Sequence, residues 1–559
     1  MIKPAQSQLV LRDLDQVISV YRGCNRIGID IETTGLHPQR DQVEVISLSG
    51  DGVPPAVLHL RELGLAGATL PQELKDILSQ ATLVGHNITN FDLPFLRRIG
   101  IIPQHPWYDT LLLEQLANTG RRSVGNDLTS VLKRRLGVTI DKSLAQQMSW
   151  RTGRLMDEQV AYAANDVGWL LPLASNLLGI IRDHHLDDSL QLELDCQLAT
   201  YHMRCNGVPI KLSKLAATYQ ELRRERAEAE AVLRDYGIRN PASTVQVRHA
   251  LNQLGLHPPT TNHEVLESLR GSVPDGTDQA RVLDAILRYR SVTRLMMYDE
   301  DWVHKYVIDG RIYPSYSQLG TEPGRFASRE PNIQQWPKVL RAIVGAEPGK
   351  LLVWADYKQI EVVTACTWYG DQVLRDLLTK GVDVHRRVAS LVWGIDEEQV
   401  TPDQRAEAKI VVWTFLFAGK LPDDVKAQLC TLFPSVLAKQ GSVERLVRRH
   451  QNTGRPIIVR PRLGPRREIS TTDLSVSRVV NTLVQGTAAT GLKRALARLA
   501  KEGLGRYLVT CVHDEIVLEC PEEEAEMLGE QLVSIMREEM EDHLGMPVEV
   551  SLGIGKEWA

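Results

Sequence analysis

The sequence predicts an α/β domain at the N-terminus, followed by a larger α+β region that closes on a β-hairpin. Short runs typical of β-strands alternate with helical segments up to about residue 182. Strands then return only after a long helical stretch, from about residue 310 onward. At 559 residues the chain exceeds what one hydrophobic core can organise, so we expect three or four domains.

The N-terminal pattern rests on three β-like runs, at residues 26–30, 43–48 and 82–85, with helical segments around them. A helical, charged stretch follows at 190–230. Ser213 is a candidate N-cap for its long solvent-facing helix, and Gly237 a candidate stop. Residues 278–306 then return to helix.

The C-terminal region predicts strands on either side of a helical insert. Strand-like runs occupy residues 311–318 and 351–355, and the mainly helical insert spans 373–439. The chain closes with a hairpin whose strands are 507–512 and 516–520. Two acidic residues, Asp356 and Asp514, lie where these strands end.

The bulk composition is typical of a soluble globular protein, with 43% hydrophobic and 24% charged residues. Charges interrupt the first twenty residues, so no signal or transit peptide is predicted. The longest apolar runs, such as 410–418, are too short to span a bilayer. The seven cysteines form no CxxC pair, which indicates reduced thiols, a cytoplasmic location and no zinc site.

A net charge of −5 argues weakly against a nucleic-acid partner, but the basic residues are unevenly distributed. A basic stripe without acidic residues comprises Arg445, Arg448, Arg449, Arg455, Arg460, Arg462, Arg466 and Arg467. Such a stripe can follow a phosphate backbone and release its counterions. A solvated charged loop is the alternative interpretation.

Four acidic residues of the N-terminal domain form a candidate metal site. Asp30 and Glu32 end a strand two residues apart, so both side chains project to the same face. Asp92 follows a polar loop, and Asp166 comes one helical turn after Tyr162. Carboxylates suit two Mg²⁺ or Mn²⁺ ions, which at a spacing of about 4 Å activate a water for phosphodiester cleavage. The Tyr162 hydroxyl could orient that water.

Each of these patterns alone is common, since Asp-x-Glu after a strand is more often a turn or a helix cap. Their order resembles the three motifs of DnaQ-like (DEDD) exonucleases of the tyrosine-bearing subtype, over about the first 180 residues. Asn87 and Phe91 stand where the second motif has Asn and an aromatic residue. The resemblance implies an RNase H-like fold and 3′→5′ proofreading. Its metal ligands would be Asp30, Glu32, Asp92 and Asp166, with Tyr162 as the catalytic residue.

A second pair of carboxylates lies far apart in sequence. Asp356 ends the apolar strand at 351–355, and Asp514 lies in the turn of the final hairpin, where local reasons alone favour Asp. Between them, one helix face repeats every fourth residue as Arg405, Lys409, Trp413 and Phe417. Two cations fit a buried packing face poorly. The two cations could bind a triphosphate, while the two aromatic rings contact a base or sugar.

Several segments together resemble the family A DNA polymerases, the DNA polymerase I family in its Klenow-type form. They are 324–325 with 331–334, 356–361 (motif A), 381–385, 405–419 (motif B), 478–489, 513–515 (motif C) and a thumb-like 290–295. The match extends over essentially the whole chain, and the order and combination of the motifs are specific. The resemblance implies template-directed addition of dNTPs to a primer 3′ end by a two-metal mechanism.

The same resemblance implies a right-hand fold of palm, fingers and thumb after the exonuclease domain. The implied boundaries are 1–188 for the exonuclease domain, 189–310 for the thumb, 311–372 for the first part of the palm, 373–494 for the fingers and 495–559 for the second part of the palm. The last segment carries motif C.

The resemblance also assigns roles to individual residues. Asp356 and Asp514 would hold two Mg²⁺ ions, with Mn²⁺ as an alternative. The other implied catalytic residues are Lys409, Arg405, Glu361 and Glu515. The implied dNTP contacts are Gln359, His385, Trp413 and Phe417. The implied DNA contacts are Arg325, Asn332, Gln334, Arg478, Asn481, Gln485 and His513, with Tyr316 as a further candidate. Contacts in the minor groove would test pair shape without reading sequence.

The sequence departs from the family pattern around the nucleotide site. Motif A has Lys358 and Val363 where Ser and Arg are usual. Motif B has Trp413, Thr414, Phe417 and Ala418 in place of Phe or Tyr, Gly, Tyr and Gly, and Thr490 replaces a usual Asp. None of these changes removes a metal ligand, so we expect activity to survive. Fidelity, speed and sugar selection stay open.

Two alternative interpretations use the same residues. One is a DNA-binding or repair exonuclease whose polymerase half has decayed into a scaffold. The intact residues of that half disfavour it, namely Asp356, Asp514, Lys409 and Arg405. The other is a relative of single-subunit RNA polymerases, which Glu361 and the attached exonuclease disfavour. We expect primer-template DNA and dNTPs as partners, a monomer, no membrane, and no 5′-nuclease domain. An accessory processivity factor stays open.

Overall fold

The computed structural model describes residues 10–67, 69–118, 120, 125–140 and 149–558. The chain divides into two compact units. The first comprises Met1–Val208, Tyr313–Gln335 and Pro348–Lys556, and the second comprises Pro209–Ile312, Trp336–Glu347 and Glu557–Ala559. Both predicted active sites fall in the first unit.

The N-terminal part of the first unit is a five-stranded sheet with helices on both faces. Its strands are β1 (Arg26–Thr33), β2 (Val43–Gly50), β3 (Val53–His59), β4 (Thr82–Gly85) and β5 (Tyr108–Asp109). Its helices are α1 (Leu14–Tyr21), α2 (Gln72–Gln80), α3 (Asp92–Arg98), α4 (Thr110–Ala117), α5 (Leu128–Leu136), α6 (Asp157–Gly168), α7 (Leu170–Asp183) and α8 (Asp187–Asn206). The strand order is β3-β2-β1-β4-β5, with β1 antiparallel to β2 and parallel to β4. Because neighbouring strand residues face opposite ways, Leu83 and Val84 belong to separate cores.

The second unit is mainly helical. Its elements are α9 (Leu212–Asp235), α10 (Thr244–Gln253), α11 (His263–Ser272), α12 (Asp278–Leu295), α13 (Glu300–Tyr306), α14 (Lys338–Arg341) and the paired strands β7 (Val307–Ile308) and β8 (Arg311–Ile312). A short strand, β6 (Val208–Pro209), precedes it. Helices α9 and α12 pack along each other and bury Leu233 and Ile286 in a common core.

The C-terminal part of the first unit holds a four-stranded antiparallel sheet. Its strands are β11 (Lys350–Tyr357), β14 (Leu508–Val512), β15 (Glu515–Pro521) and β16 (Val550–Gly555), and a separate pair is β9 (Ser315–Ser317) with β10 (Ala327–Arg329). The sheet order is β14-β15-β11-β16. Helices α15 (Ile360–Tyr369) and α22 (Ala525–Leu544) belong to the same region. Alternate residues of β11, such as Val353 and Ala355, are fully buried.

A helical insert separates β11 from β14. It contains α16 (Gln372–Thr379), α17 (Val384–Trp393), α18 (Pro402–Leu416), α19 (Asp423–Leu432), α20 (Pro434–Thr453), the strand pair β12 (Ile457–Val459) with β13 (Arg467–Ile469), and α21 (Val476–Lys501). Helix α21 packs against α8 and α22. This long helix joins the insert to the four-stranded sheet.

The predicted order, α/β followed by α+β, is confirmed, as are the strands at 26–30 and 351–355, the final hairpin and the helical insert. Ser213 as an N-cap is wrong: α9 begins at Leu212 and its N-cap, Lys211, makes no side-chain capping hydrogen bond. The helical stretch predicted from 190 is also broken by β6. Within the described ranges, every helix is too short or too polar to cross a membrane.

Candidate active sites

The N-terminal sheet brings the predicted carboxylates together at one end of its central strand. Asp30 and Glu32 lie on β1, and Asp92 begins α3. The Asp92 carboxylate accepts a hydrogen bond from the backbone N–H of Ile31 at 3.2 Å, which ties the start of α3 to β1. Tyr162 and Asp166 lie one turn apart on α6, which packs against β1 and β2.

The electrostatics of this cluster follow from crowded negative charge. Burial, and then the neighbouring Asp30, raise the pKa of Asp92 well above its ordinary value. Burial also raises the pKa of Tyr162, and Asp166, Glu32 and Asp30 raise it further in that order. The phenol therefore stays protonated at neutral pH, as a neutral donor that faces three carboxylates.

Sequence analysis missed Asp109, the residue that holds the loop before Asp92. Its buried carboxylate accepts hydrogen bonds from the backbone N–H groups of Asn87 (2.8 Å) and Thr89 (3.3 Å). It also caps α4 by accepting from Leu111 at 3.0 Å. Asp followed by Thr and an apolar run is an N-cap signal, so the capping role could have been predicted. The hydrogen bonds from Asn87 and Thr89 to this carboxylate could not have been predicted, because they depend on the tertiary fold.

The four-stranded sheet brings the second pair of carboxylates together. Asp356 on β11 pairs in register with Glu515, the first residue of β15. Asp514 immediately precedes Glu515 in the hairpin turn, so the two predicted aspartates become neighbours. Burial raises the pKa of Asp514 above its ordinary value. His513 in the same turn has a left-handed backbone (φ 59°), which fixes the direction of the turn.

A cleft of about 490 Å³ surrounds these two aspartates. Ten predicted site residues line it: Arg325, Asp356, Gln359, Glu361, His385, Arg405, Lys409, Trp413, His513 and Asp514. Lys358, the first departure from the family pattern, also lines it and lies 3.3 Å from Glu549. Residues from β11, α15, α17, α18 and the hairpin thus meet in one place.

One of the two cations of α18, Arg405, is held by the residue that caps the neighbouring helix. Arg405 Nε lies 2.6 Å from Asp383 Oδ2, and Asp383 also caps α17 by accepting from the backbone of His385 and Arg386. His385 is 2% exposed, and burial lowers its pKa to about 4, with Asp383 opposing and Arg405 and Lys409 adding to the shift. His385 is therefore neutral at pH 7. Lys409, one turn beyond Arg405, is exposed on the cleft.

Glu361 forms an ion pair with Arg325 on the cleft wall, in which the Glu361 side chain is largely buried and the Arg325 side chain is partly exposed. Burial raises the pKa of Glu361, and the Arg325 guanidinium opposes that shift. The second carboxylate oxygen, Oε2, is buried and has no hydrogen-bond partner among the described residues. The sequence predicted both residues at the site but did not predict that they pair.

A second cleft, of about 640 Å³, adjoins the first across Lys409 and Trp413. Phe417, Asn481 and Gln485 line it. The rings of Trp413 and Phe417 lie 5.0 Å apart at 43°, and Trp413 is 36% exposed. Phe417 is the C-cap of α18 rather than part of its last turn. Trp413 is therefore available on a concave surface, whereas Phe417 is only 8% exposed.

Five of the remaining predicted residues are buried or hydrogen-bonded to other groups of the protein. Gln334 is buried, donates to the Cys511 carbonyl at 2.9 Å and accepts from the His513 N–H at 3.3 Å, so it braces the hairpin that carries Asp514. Asn332 accepts from the Gln334 N–H. Arg478 forms a bidentate pair with Glu322. Glu515 and Tyr316 are both buried, and its burial makes Tyr316 unsuitable as a duplex contact.

The basic stripe is partly structural. Arg460 donates to the carbonyl of His185 at 2.9 Å and to the Ser189 hydroxyl at 3.1 Å. Arg467 is 4% exposed. Arg455 and Arg462, in contrast, are exposed and remain available to a phosphate backbone.

Both carboxylate sets fit divalent cations in their chemistry. Buried oxygen ligands that raise one another's pKa, as Asp30 does for Asp92, are what a hard cation stabilises. Among the described residues, no three His, Cys, Asp or Glu side chains already form a converged metal cage. Because like charges repel, a cation would draw these carboxylates together.

Comparison with known proteins places both halves of the chain in characterised families. A family model described as 3'-5' exonuclease matches residues 10–182. A second, described as DNA polymerase family A, matches residues 212–429 and 437–559. Together these matches contain both clefts and the N-terminal carboxylate cluster.

Individual relatives agree with this assignment. DNA polymerase I of Aquifex aeolicus is 28% identical over 95% of each chain. Thermostable DNA polymerase I of Thermus aquaticus is 31% identical over 64% of this chain, an alignment that spans 46% of the longer relative. Among solved structures, the POL domain of Pol1 from M. smegmatis, in complex with DNA primer-template and dNTP, superposes with a TM-score of 0.79 at 22% identity. That match covers 98% of this chain and 99% of the other, and it supports the fold.

Proposed function

The chain belongs to DNA polymerase family A and carries a 3′-5′ exonuclease domain at residues 10–182, and on that premise we propose how its residues carry out the two reactions. The family resemblance inferred from the motifs is thereby confirmed. The observation that carries the proposal is the cleft that gathers Asp356 and Asp514 with the cations of α18. We assign nucleotide addition to this cleft and excision to the cluster on β1, α3 and α6.

Asp356 and Asp514 would hold the catalytic metals of addition, and Asp30, Glu32, Asp92 and Asp166 those of excision. Two divalent cations in each site, Mg²⁺ or alternatively Mn²⁺, would activate the attacking oxygen and stabilise the leaving oxygen. The register that sets Asp356 against Glu515 supports this assignment, because it fixes Asp356 on β11 and Asp514 in the tight turn directly before β15. Glu515 and Gln334 would keep the hairpin in place.

The cations of α18 would receive the triphosphate. Arg405 is oriented by Asp383, and Lys409 follows one turn later, so both charges lie along one edge of the cleft. Fixed cations stabilise the negative charge that develops during phosphoryl transfer. A neutral His385 would hydrogen-bond a phosphate oxygen or the sugar without adding charge. Lys409 would also protonate the departing pyrophosphate.

Glu361 would act as the gate for the incoming sugar. It is buried and pinned by Arg325, so a ribose 2′ hydroxyl would collide with it or leave it unpaired. Gln359, Trp413 and Phe417 would contact the nucleotide from the other walls. The larger indole of Trp413 and the hydroxyl-free ring of Phe417 make sugar preference the property in which this chain should differ from its relatives.

In the N-terminal site, Tyr162 would orient the attacking water. Its raised pKa keeps the phenol protonated, so its hydroxyl can donate to one oxygen and accept from the water. Asp109 would keep the loop before Asp92 in position. The product would be a primer shortened by one mispaired nucleotide.

We further propose primer-template DNA and dNTPs as the ligands. The DNA would be bound by Arg325, Asn332, Arg478, Asn481, Gln485 and His513 together with the exposed arginines of the basic stripe, while Gln334 would support the hairpin from within. The thumb would lie at 189–310, the palm at 311–372 and 495–559, and the fingers at 373–494. All seven cysteines are free, which supports a reducing, cytoplasmic compartment. We expect the chain to act as a monomer.

Primer extension separates these proposals from their alternatives. A labelled primer, annealed to a template and incubated with dNTPs and Mg²⁺, should be extended to the end of the template. A mispaired 3′ end should be excised before extension. Excision without any extension would favour the decayed-scaffold alternative. Preference for NTPs over dNTPs would favour the RNA polymerase alternative.

A further inference from the structure

A hydrogen-bond chain, partly buried at Asn90 and buried at Tyr316 and Thr510, connects the loop that carries Asp92 with the strand that leads to Asp514. We propose that Asn90 and Tyr316 are positioning residues in one contact network that joins the two active sites, with Asn90 acting on both sites and the Tyr316 hydroxyl acting on the Asp514 site. This inference rests on the assignment of excision to the Asp92 site and of addition to the Asp514 site.

The first link is a two-point clamp between Asn90 and the backbone of β9. The side-chain amide of Asn90 donates to the Tyr316 carbonyl at 2.9 Å, and its oxygen accepts from the Tyr316 N–H at 2.8 Å. An amide that pairs both backbone groups of one residue fixes that residue much as a neighbouring strand would. Asn90 lies two residues before Asp92, on the loop that Asp109 holds.

The second link runs from the Tyr316 side chain to the hairpin. The Tyr316 hydroxyl donates to Thr510 Oγ1 at 3.1 Å, and the two residues are 3% and 0% exposed. Thr510 lies on β14, four residues before Asp514. In a buried, low-dielectric setting such a bond is strong and geometrically strict. The hydroxyl thus sets the position of β14 relative to β9.

A buried arginine braces the same junction. Arg204 is 5% exposed and donates to the carbonyl of Asn90 at 2.9 Å and to that of Tyr313 at 2.6 Å. Separating the two segments would leave a desolvated guanidinium without these acceptors, which is unfavourable. The junction is therefore expected to move as one body rather than to slide.

A space-filling role and a positioning role for Tyr316 lead to different predictions. If Tyr316 only fills space, its ring supplies the effect and the hydroxyl is dispensable. If it positions the hairpin, loss of the hydroxyl should disturb the metal-binding aspartate while the ring stays packed. Residues that directly orient metal ligands change affinity or activity about 10- to 100-fold when lost. Tyr316 acts one step farther away, so we expect about a threefold to tenfold effect.

The test uses single-turnover addition of one dNTP and single-turnover excision from a single-stranded oligonucleotide, with the full chain. The variants are Tyr316→Phe, Thr510→Val, their double variant, and Asn90→Ala. The control is Tyr21→Phe, which removes a hydroxyl that donates to two backbone carbonyls, of Leu48 and Pro54, elsewhere in the N-terminal core. Melting temperature is measured for every variant.

We expect Tyr316→Phe to slow addition threefold to tenfold, to raise the Mg²⁺ concentration for half-maximal rate, and to leave dNTP affinity and excision unchanged. Thr510→Val should do the same, and the double variant should be no slower than either single variant. Asn90→Ala should slow both reactions, because it releases the backbone of Tyr316 as well as the Asp92 loop. Tyr21→Phe should leave addition unchanged.

Three results would overturn the proposal. Tyr316→Phe could match Tyr21→Phe in addition rate, the Tyr316 and Thr510 effects could multiply independently, or Asn90→Ala could slow excision alone. Failure of the underlying site assignment would look different. In that case Asp514→Asn would retain addition, whatever the Tyr316 variants do.

Discussion

Replacing Arg325 with Met should destabilise the protein more than replacing its partner Glu361 with Gln. Of the two side chains in this ion pair, Arg325 is 28% exposed and Glu361 is 10% exposed. Removal of the guanidinium would leave a carboxylate that is out of water and already has one unbonded oxygen. Removal of the carboxylate leaves a cation that solvent still reaches.

The expected magnitude follows from that asymmetry. Breaking a fully buried ion pair by removing one partner costs about 3 to 5 kcal/mol. Since water reaches part of Arg325, we expect the lower end, about 3 kcal/mol, for Arg325→Met. For Glu361→Gln, which keeps the volume and a hydrogen-bonding oxygen, we expect about 1 kcal/mol. Urea unfolding of parent and variants measures both values.

The Arg325–Glu361 pair also predicts that the free energy of unfolding depends on pH. Burial raises the pKa of Glu361 above its ordinary value, and Arg325 opposes that shift. Between the ordinary and the raised pKa, the folded protein binds more protons than the unfolded chain, so this carboxyl lowers stability as pH rises. Loss of Arg325 raises the folded pKa further and widens that window.

The stability difference between Arg325→Met and the parent should therefore shrink when the pH is lowered from about 8 to about 5.5. Glu361→Gln provides the control, because it has no carboxyl to titrate at this position. A difference that stays constant over this range would refute the reasoning. So would a loss for Glu361→Gln as large as that for Arg325→Met.

Three further predictions concern substrate choice, DNA binding and excision. Glu361→Ala should raise ribonucleotide incorporation about tenfold or more, and Trp413→Tyr should shift the preference between deoxy and dideoxy substrates. Single-nucleotide insertion kinetics measure both, and unchanged selectivity ratios would contradict the placement of these residues at the sugar. Arg455→Gln combined with Arg462→Gln should flatten the slope of log K against log salt by about 1.8, and an unchanged slope would make the stripe a solvated loop. Tyr162→Phe should slow excision about 100-fold through a misplaced water while addition stays normal; excision at the parent rate would exclude the orienting role.

Local patterns in the sequence predicted the parts of the sites that lie on single elements. A period of two placed Asp30 and Glu32 on one face of β1, and a spacing of four placed Tyr162 one turn from Asp166 on α6. These spacings report backbone geometry directly, so few long-range contacts could override them. The same logic placed Arg405 and Lys409 along α18.

The remaining features depend on contacts between distant segments. Thr510 and Tyr316 are separated by 194 positions, and each alone is an ordinary strand residue. Gln334 was predicted to contact DNA, but its side chain braces the hairpin, which only the folded β9–β10 region could reveal. Arg460 likewise resembles any basic-stripe residue until its carbonyl acceptor at His185 is known.

The assignment of two separate active sites is tested most directly by replacing the carboxylates of one site while the other site stays intact. Parent, Asp514→Asn, and a variant combining Asp30→Ala with Glu32→Ala are compared in single-turnover addition and excision under identical metal concentrations. The account predicts that Asp514→Asn loses addition by about a thousandfold or more and keeps excision, and that the Asp30 and Glu32 variant does the reverse. Addition that survives Asp514→Asn, or excision that survives loss of Asp30 and Glu32, would contradict it.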